Sequence, residues 1–362
     1  MHGGIASDCP HRERSAYTGD GQVSCVTVMH NFDAAAFYTK WIADMRDAQN
    51  VEDGYVPDSA PWQPGCGGGV GWGAAMNIMP WEYYVHYGDK KMLYDCYDAM
   101  KKQLAYMQTW TTPEGTMFMK KCNVGSNEPN YWFNLGDWAP AFGLPSDELV
   151  HTFFLWRCAD YTAKTAKALG LEDDYKKYNN IAKEVNNAFH KKFYDKQNKT
   201  YGDFGSNVFA LVTGVPQGYY SDVLNTFKKE ITDKYGNHLN TGIFGTQFLF
   251  ETLAANGMND VAYEVMNKMD FPSFGNWIAQ GATTTWEQWN GKDSRNHPMF
   301  GGGLTWFYRT IAGVYADEQQ PGFRHIIIKP QLPEKLDQAS YSTITPYGKV
   351  SSEVSNPAIK QV

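Results

Sequence analysis

The sequence lacks the short motifs that carry several common enzyme chemistries. It contains no CxxC pair, no GKS or GKT, no GxSxG and no HExxH. Zinc ribbons, thioredoxin-like redox sites, P-loop nucleotide hydrolysis, α/β-hydrolase chemistry and zincin chemistry are therefore excluded. Its six cysteines are widely dispersed, which is typical of plain buried thiols.

Positive charge and long apolar runs are also scarce. The 32 Lys and Arg residues are outnumbered by 39 Asp and Glu, for a net charge of −7, so we expect no nucleic-acid partner. The long uncharged stretch that includes residues 65–81 carries six glycines, so we expect no membrane span. The first ten residues lack the basic and apolar regions of a signal peptide. The sequence leaves the compartment open: the protein is cytoplasmic or, if the chain is N-terminally truncated, secreted or periplasmic. The oligomeric state is open as well.

Hydrophobic residues make up 43% of the chain and follow helical periodicity over most of its length. Three segments predict amphipathic helices: residues 32–45, 178–193 and 261–269. Between such stripes a Gly followed by an Asp recurs, at Gly88-Asp89, Gly170 with Asp173, and Gly257 with Asp260. We interpret each Gly as the left-handed end of one helix and each Asp as the N-cap of the next. The similar spacing predicts helical hairpins arranged in a toroid.

The pattern changes near the C-terminus. The β-branched run Ile326–Ile328 and the alternation of Val350, Ser352 and Val354 predict strands. We therefore divide the chain into an all-α part, residues 1–315, and a short β segment, residues 316–362.

The segment Asp8–Asp20 is rich in ionisable side chains, with three carboxylates, two arginines and a histidine in thirteen residues. Its Pro and Gly residues predict a loop throughout. If residues 12–14 are extended, Glu13 points away from Arg12 and Arg14, which are then free to bind Asp8, Asp20 or a ligand. The alternative is a solvated charged turn.

The segment 281–291 places Glu287 between Trp286 and Trp289. A carboxylate flanked by indoles is a candidate proton acceptor, and the alternative is a half-exposed Glu beside two core tryptophans. Two carboxylate-bearing segments, many aromatic residues and a helical toroid together point to glycoside hydrolysis, in which one acid protonates the leaving oxygen and a second carboxylate activates water.

Four motifs carry a resemblance to a known family. They are Asp8-Cys-Pro-His-Arg-Glu-Arg with Tyr-Thr-Gly-Asp20, Gly281-Ala-Thr-Thr-Thr-Trp-Glu-Gln-Trp, Ser294-x-Asn-His297, and Gly136-Asp-Trp138. Together they resemble the catalytic domain of α-L-rhamnosidases, glycoside hydrolase family 78, and the first two are specific when found in this order. Two features depart from the family pattern: Tyr17 stands where many members have Trp, and Ala74 stands where an Asp is expected.

The resemblance implies an (α/α)6 barrel, incomplete at its start, followed by the beginning of a β-sandwich. It also implies inverting hydrolysis of terminal α-L-rhamnosyl groups from a rhamnose-containing carbohydrate, with no cofactor and no metal. By motif position Glu13 is the general acid and Glu287 the general base. The remaining positions would bind the sugar or form aromatic walls: Asp8, Arg12, Tyr17, Asp20, Trp72, Trp138, Trp286 and His297.

Two other functions stay open from the sequence. One is a toroidal hydrolase or lyase acting on a different sugar. The other is an inactive, truncated fragment that binds sugar through its tryptophans.

Overall fold

A computed structural model describes residues 7–62, 69–118 and 135–356. The helices are α1 Thr18–Asn31, α2 Ala35–Ala48, α3 Val70–Gly73, α4 Ala75–Tyr87, α5 Lys90–Gln108, α6 Asp147–Leu169, α7 Glu172–Phe193, α8 Phe204–Thr213, α9 Gln217–Lys229, α10 Ile243–Ala255, α11 Asn259–Met266 and α12 Phe274–Ala279. A 3₁₀ segment spans Pro298–Leu304, and π-helical turns span Glu230–Lys234 and Phe307–Ile311. The strands are β1 Val314–Ala316, β2 Ile326–Ile328, β3 Gln338–Thr345 and β4 Gly348–Ser355.

Six inner elements form a closed ring. In order around the ring, α1, α4, α6, α8, α10 and the 3₁₀ segment each contact the next, and the 3₁₀ segment returns to α1. Five of these inner helices are followed, after a short loop, by an outer helix: α2, α5, α7, α9 and α11. The predicted toroid is confirmed as an (α/α)6 barrel, for which the described residues supply six inner elements and five outer helices.

Burial explains which helices are inner. The inner helix α10 is apolar on nearly every face and buries most of its residues, whereas the outer helix α7 buries only one stripe. That stripe includes Tyr178, Ala182, Val185 and Phe189, so the predicted amphipathic helix is confirmed. The other two predicted stripes are too long, because Phe32 and Met269 lie outside α2 and α11 and are exposed.

The predicted helix boundaries are partly right. Gly88 and Gly170 end α4 and α6 in the left-handed conformation, with φ of 73° and 79°, and Gly257 has φ of 72°. Asp89 caps α5 by accepting a hydrogen bond from the backbone N–H of Lys91. The predictions of Asp173 and Asp260 as N-caps are wrong. Both lie inside the first turn, where a carboxylate interacts favourably with the helix dipole without capping it.

The C-terminal strands form two antiparallel pairs, β1 with β2 and β3 with β4. The predicted strands at 326–328 and around Val350 are confirmed, while β1 and β3 were not predicted. Two contacts fix the β3–β4 hairpin to the barrel: Tyr341 donates to the carbonyl of His30, and Ser352 donates to the carbonyl of Ala312.

The described cysteines Cys9, Cys25, Cys96 and Cys158 are free and buried, as predicted, and Cys66 and Cys122 lie outside the described residues. Among the described helices, none combines the length and the apolar character that a membrane span requires.

Candidate active site

Asp8 closes the loop that carries Glu13. Its backbone N–H donates to the carbonyl of Ser15 at 2.8 Å, and its Oδ1 accepts from the N–H of Ser15 at 2.7 Å. Burial raises the pKa of Asp8, and the nearby acidic groups of Glu13 and Asp20 act in the same direction. Asp8 is thus a buried polar anchor that fixes the two ends of the loop.

The loop does not have the extended conformation that the sequence analysis considered for residues 12–14. Arg14 has φ of 54°, in the left-handed region, so the side chains of residues 12–14 do not alternate as they would in a strand. Arg14 donates from Nε to the carbonyl of Pro10 at 2.9 Å. Arg14 therefore shows no ion pair with Asp8 or Asp20 among the described residues, because the turn directs its Nε back onto its own loop, and its binding of a ligand stays a prediction.

Arg12 bridges the two carboxylates that were singled out from the sequence. One terminal nitrogen lies 2.9 Å from Oε1 of Glu13, and the other lies 2.5 Å from Oε2 of Glu287. The sequence prediction placed the Arg12 side chain away from Glu13. It is wrong because residues 12–14 form a turn and not a strand. The structure nevertheless brings Glu13 and Glu287 together on one guanidinium.

Glu287 lies in a closed loop near the 3₁₀ segment. Its N–H donates to the carbonyl of Ser294, and the N–H of Ser294 donates back to Oε2 of Glu287 at 3.0 Å. Trp289 is buried and stacks on Trp277, which gives this loop a rigid apolar base. Only 6% of Glu287 is exposed, so its carboxylate is held by fixed donors rather than by bulk water.

His297 connects Glu287 to Asp20. Its Nε2 lies 2.8 Å from Oδ1 of Asp20, and its Nδ1 lies 3.7 Å from Oε2 of Glu287. Burial lowers the pKa of His297, but the charges of Asp20, Glu287 and Asp8 outweigh that effect, so the pKa is raised overall. Asp20 is in the first turn of α1, which begins at Thr18, so the loop predicted for the whole of residues 8–20 ends three residues early.

The predicted aromatic residues divide into two groups. Tyr17 lines the cavity beside Asp20, and Trp138 is half-buried. Trp72 is only 4% exposed and lies beneath Gly19, with its ring edge-on to Phe244. Trp286 is 2% exposed and is covered by the guanidinium of Arg295. The structure therefore places Trp72 and Trp286 in the core below the site, where almost none of their surface is available to a ligand.

A cavity of about 840 Å³ adjoins these residues. Asp8, Asp20 and His297 line its polar part, and aromatic side chains from the end of α1 and from α2, including Phe32 and Phe37, line the rest. Arg12, Glu13 and Glu287 are not part of the lining. They adjoin it through Asp8 and His297.

Two buried acids were given no role by the sequence analysis. Asp58 is 3% exposed, and burial raises its pKa to about 8, with the charge of Asp20 acting in the same direction. The carbonyl of Asp58 accepts from the N–H and the hydroxyl of Thr18, which fixes the start of α1. Asp137 accepts three backbone hydrogen bonds at the start of α10, although only its neighbour Trp138 was singled out. A motif identified Asp137, whereas no sequence signal identified Asp58.

The sequence matches two family descriptions. Residues 2–311 match the bacterial alpha-L-rhamnosidase 6 hairpin glycosidase domain, and residues 313–355 match the bacterial alpha-L-rhamnosidase C-terminal domain. An alpha-L-rhamnosidase of Alteromonas sp. (strain LOR) is 33% identical over 373 residues, covering 96% of this chain and 39% of the relative. One from Streptomyces avermitilis is 30% identical over 365 residues, covering 96% of this chain and 33% of the relative.

Solved structures agree with these matches. The alpha-L-rhamnosidase from Dictyoglumus thermophilum has a TM-score of 0.88 and 33% identity, covering 98% of this chain and 40% of that one. The Streptomyces avermitilis alpha-L-rhamnosidase complexed with L-rhamnose has a TM-score of 0.88 and 28% identity, and the match covers 98% of this chain and 34% of that one. This chain spans about two fifths or less of each of these relatives. It belongs to the bacterial α-L-rhamnosidases of glycoside hydrolase family 78.

Proposed function

We propose that this chain is the catalytic region of an exo-acting α-L-rhamnosidase that hydrolyses terminal α-L-rhamnosyl groups with inversion. The observation that carries the proposal is the convergence of Glu13 and Glu287 on Arg12, beside the Asp20–His297 pair. Relatives named alpha-L-rhamnosidase support the substrate class, and one of them is complexed with L-rhamnose. We also propose residues 1–315 as the catalytic domain and residues 316–362 as the start of a C-terminal β-domain.

The two carboxylates lie close enough together to act on one sugar ring, and inversion is the outcome that the family resemblance implies. Arg12 lies between Oε1 of Glu13, at 2.9 Å, and Oε2 of Glu287, at 2.5 Å. These two oxygens are therefore separated by two hydrogen bonds and the width of one guanidinium. That arrangement stays below the roughly 9.5 Å upper limit for two carboxyl groups that must also accommodate a water. In this proposal Glu13 protonates the leaving oxygen, and Glu287 removes a proton from water on the opposite face of the sugar ring.

The partners of Glu287 suit a base. The N–H of Ser294 and the guanidinium of Arg12 both donate to Oε2, and such donors stabilise a carboxylate anion. They also fix the direction in which the carboxylate accepts a proton, which is the geometric requirement for general-base catalysis.

The partner of Glu13 requires a rearrangement. A general acid must carry its proton before reaction, whereas contact with a guanidinium stabilises the anion. The contact is a single hydrogen bond, because the other terminal nitrogen of Arg12 binds Glu287. We propose that a bound sugar takes over the nitrogen that faces Glu13. About a third of the Arg12 side chain is exposed, so this shift needs no opening of the core.

The remaining polar residues are proposed to bind the sugar. Asp8, Asp20 and His297 offer acceptors and a donor in the polar part of the cavity, and Tyr17 adds an aromatic face. Trp138 keeps its proposed role as a wall, while Trp72 and Trp286 support the site from below. A sugar with a methyl group at C5 suits a cavity that is polar at one end and apolar along its sides.

The test is hydrolysis of a panel of aryl glycosides, followed by NMR. We expect the α-L-rhamnoside to be cleaved, with the β-anomer of rhamnose formed first. Cleavage of a different glycoside in place of the α-L-rhamnoside would contradict the proposed substrate class. First formation of the α-anomer would refute inversion.

Replacing each catalytic carboxylate tests the roles. Glu13→Gln and Glu287→Gln should each lower kcat by about 10²–10⁴-fold, the usual contribution of a positioned proton-transfer group. Glu353→Gln, on the exposed face of β4, is the matched control and should leave kcat unchanged. Activity that persists in both active-site variants contradicts the assignment.

A further inference from the structure

Asp8, Cys9 and Glu13 form a cluster of potential metal ligands beside the proposed acid. One ligand atom from each residue lies within 4.8 Å of the other two. The Sγ of Cys9 lies 3.9 Å from Oε2 of Glu13. Arg12 contacts the other carboxylate oxygen of Glu13, Oε1. The loop closed by Asp8 and Ser15 brings these three side chains together.

Asp8 has an unsatisfied acceptor at this cluster. Its Oδ2 is fully buried and accepts no hydrogen bond from the described residues, although Oδ1 accepts from Ser15. Only 2% of Asp8 is exposed. A buried carboxylate oxygen without a donor is unfavourable, so a coordinated cation would satisfy it. Asp8 and Cys9 both line the 840 Å³ cavity, which gives an ion a route from solvent.

The donor set selects the kind of cation. A thiolate with two carboxylates favours zinc and similar borderline ions, whereas magnesium prefers oxygen ligands in octahedral geometry. The charges also balance. Three anionic ligands are offset by one divalent ion together with Arg12, which already contacts Glu13 at 2.9 Å. A water would complete a tetrahedral site.

We propose that Asp8, Cys9 and Glu13 bind a zinc-type divalent cation, and that the bound ion inhibits hydrolysis by occupying the carboxylate of Glu13. Binding forms a metal–sulfur bond as the thiol proton of Cys9 leaves to solvent, with no change in oxidation state. The inhibition rests on the function proposed above, whereas the metal site does not. Cys9 transfers no proton in the proposed hydrolysis, although its thiol contacts Glu13.

Binding is tested with Co²⁺ as a spectroscopic probe. The intact chain should show the near-ultraviolet band of thiolate-to-cobalt charge transfer, and added Zn²⁺ should abolish it. Cys9→Ala should remove the band. Cys25→Ala is the matched control, since Cys25 is equally buried but lies within α1 away from the cluster. No band in the intact chain, or a band that survives in Cys9→Ala, overturns the site.

Inhibition is tested by titrating hydrolysis of an aryl α-L-rhamnoside with Zn²⁺ and with Mg²⁺. We expect Zn²⁺ alone to inhibit, and Cys9→Ala to need at least about tenfold more Zn²⁺, equivalent to about 1.4 kcal/mol. The Zn²⁺ sensitivity of each variant is measured relative to its own metal-free kcat. Equal Zn²⁺ sensitivity of the two variants refutes the inhibitory site. A chain without rhamnosidase activity refutes the proposed function and the inhibition, while the cobalt band still decides whether the site exists.

Discussion

Gly19 sets how closely the start of α1 approaches the core, and replacing it tests how Asp20 is positioned. A Cβ at Gly19 would lie 2.6 Å from Nε1 and 2.7 Å from Cδ1 of Trp72. Trp72 is almost fully buried against Phe244, so it has little room to move aside. Gly19→Ala should therefore lower the free energy of unfolding by about 1–3 kcal/mol, the usual effect of overpacking. The shifted helix start should also disturb the 2.8 Å contact between Asp20 and His297.

The effect on activity should be larger than the effect on stability suggests. A displacement of about 1 Å at a positioning group can reduce a rate by roughly 10²-fold. Gly218→Ala is the matched control, because Gly218 is also the second residue of a helix but has open space around it. That substitution should leave kcat unchanged and stabilise the chain by up to about 1 kcal/mol through helix propensity.

A double-mutant cycle in urea isolates the steric cause. Trp72→Ala removes all three ring atoms, Nε1, Cδ1 and Cε2, that a Cβ at Gly19 would meet. In that background, Gly19→Ala should no longer destabilise the chain, which gives a coupling energy of about 1–3 kcal/mol between the two positions. Additive effects of the two substitutions, or wild-type kcat in Gly19→Ala, would show that contact with Trp72 does not position Asp20.

Two further predictions concern the charged groups of the site. Asp20→Asn removes a charge that raises the pKa of His297, so His297 should lose its proton at a lower pH than in the unsubstituted chain. An NMR titration of His297 that is unchanged would contradict this. Arg12→Lys keeps the positive charge, but one ammonium cannot reproduce the two contacts of the guanidinium. We therefore expect kcat to fall at least about tenfold. Steady-state kinetics that show only a change in KM would instead assign Arg12 to substrate binding alone.

The barrel was predictable because its helices are long and periodic. The stripe of α7 and the left-handed glycines Gly88 and Gly170 depend on local sequence alone, and all were found where the pattern placed them. The strands β1 and β3 were missed for a different reason. β1 follows closely on the last helical turn, and β3 carries several Ser and Thr residues, so neither stands out as a separate run of apolar β-branched residues.

The site was less predictable because its contacts join distant segments. The tryptophans at 72 and 286 have the residue type expected of a sugar platform, yet burial depends on which side of the chain packs inward. Asp58 became relevant only because its carbonyl holds the start of α1, 40 positions away from Thr18. No pattern in one sequence encodes such a pairing.

Arg12 shows how one local backbone angle changed the interpretation of the whole site. The sequence argument assumed an extended segment, in which Glu13 and its flanking arginines point in opposite directions. With Arg14 in the left-handed region, the same residues fold into a turn, and Arg12 reaches Glu13 and Glu287 together. The guanidinium stabilises the anion that a base requires and opposes the protonation that an acid requires. The proposed hydrolysis therefore requires Arg12 to change partners, and we propose that a bound sugar displaces it from Glu13 while leaving its contact with Glu287 in place.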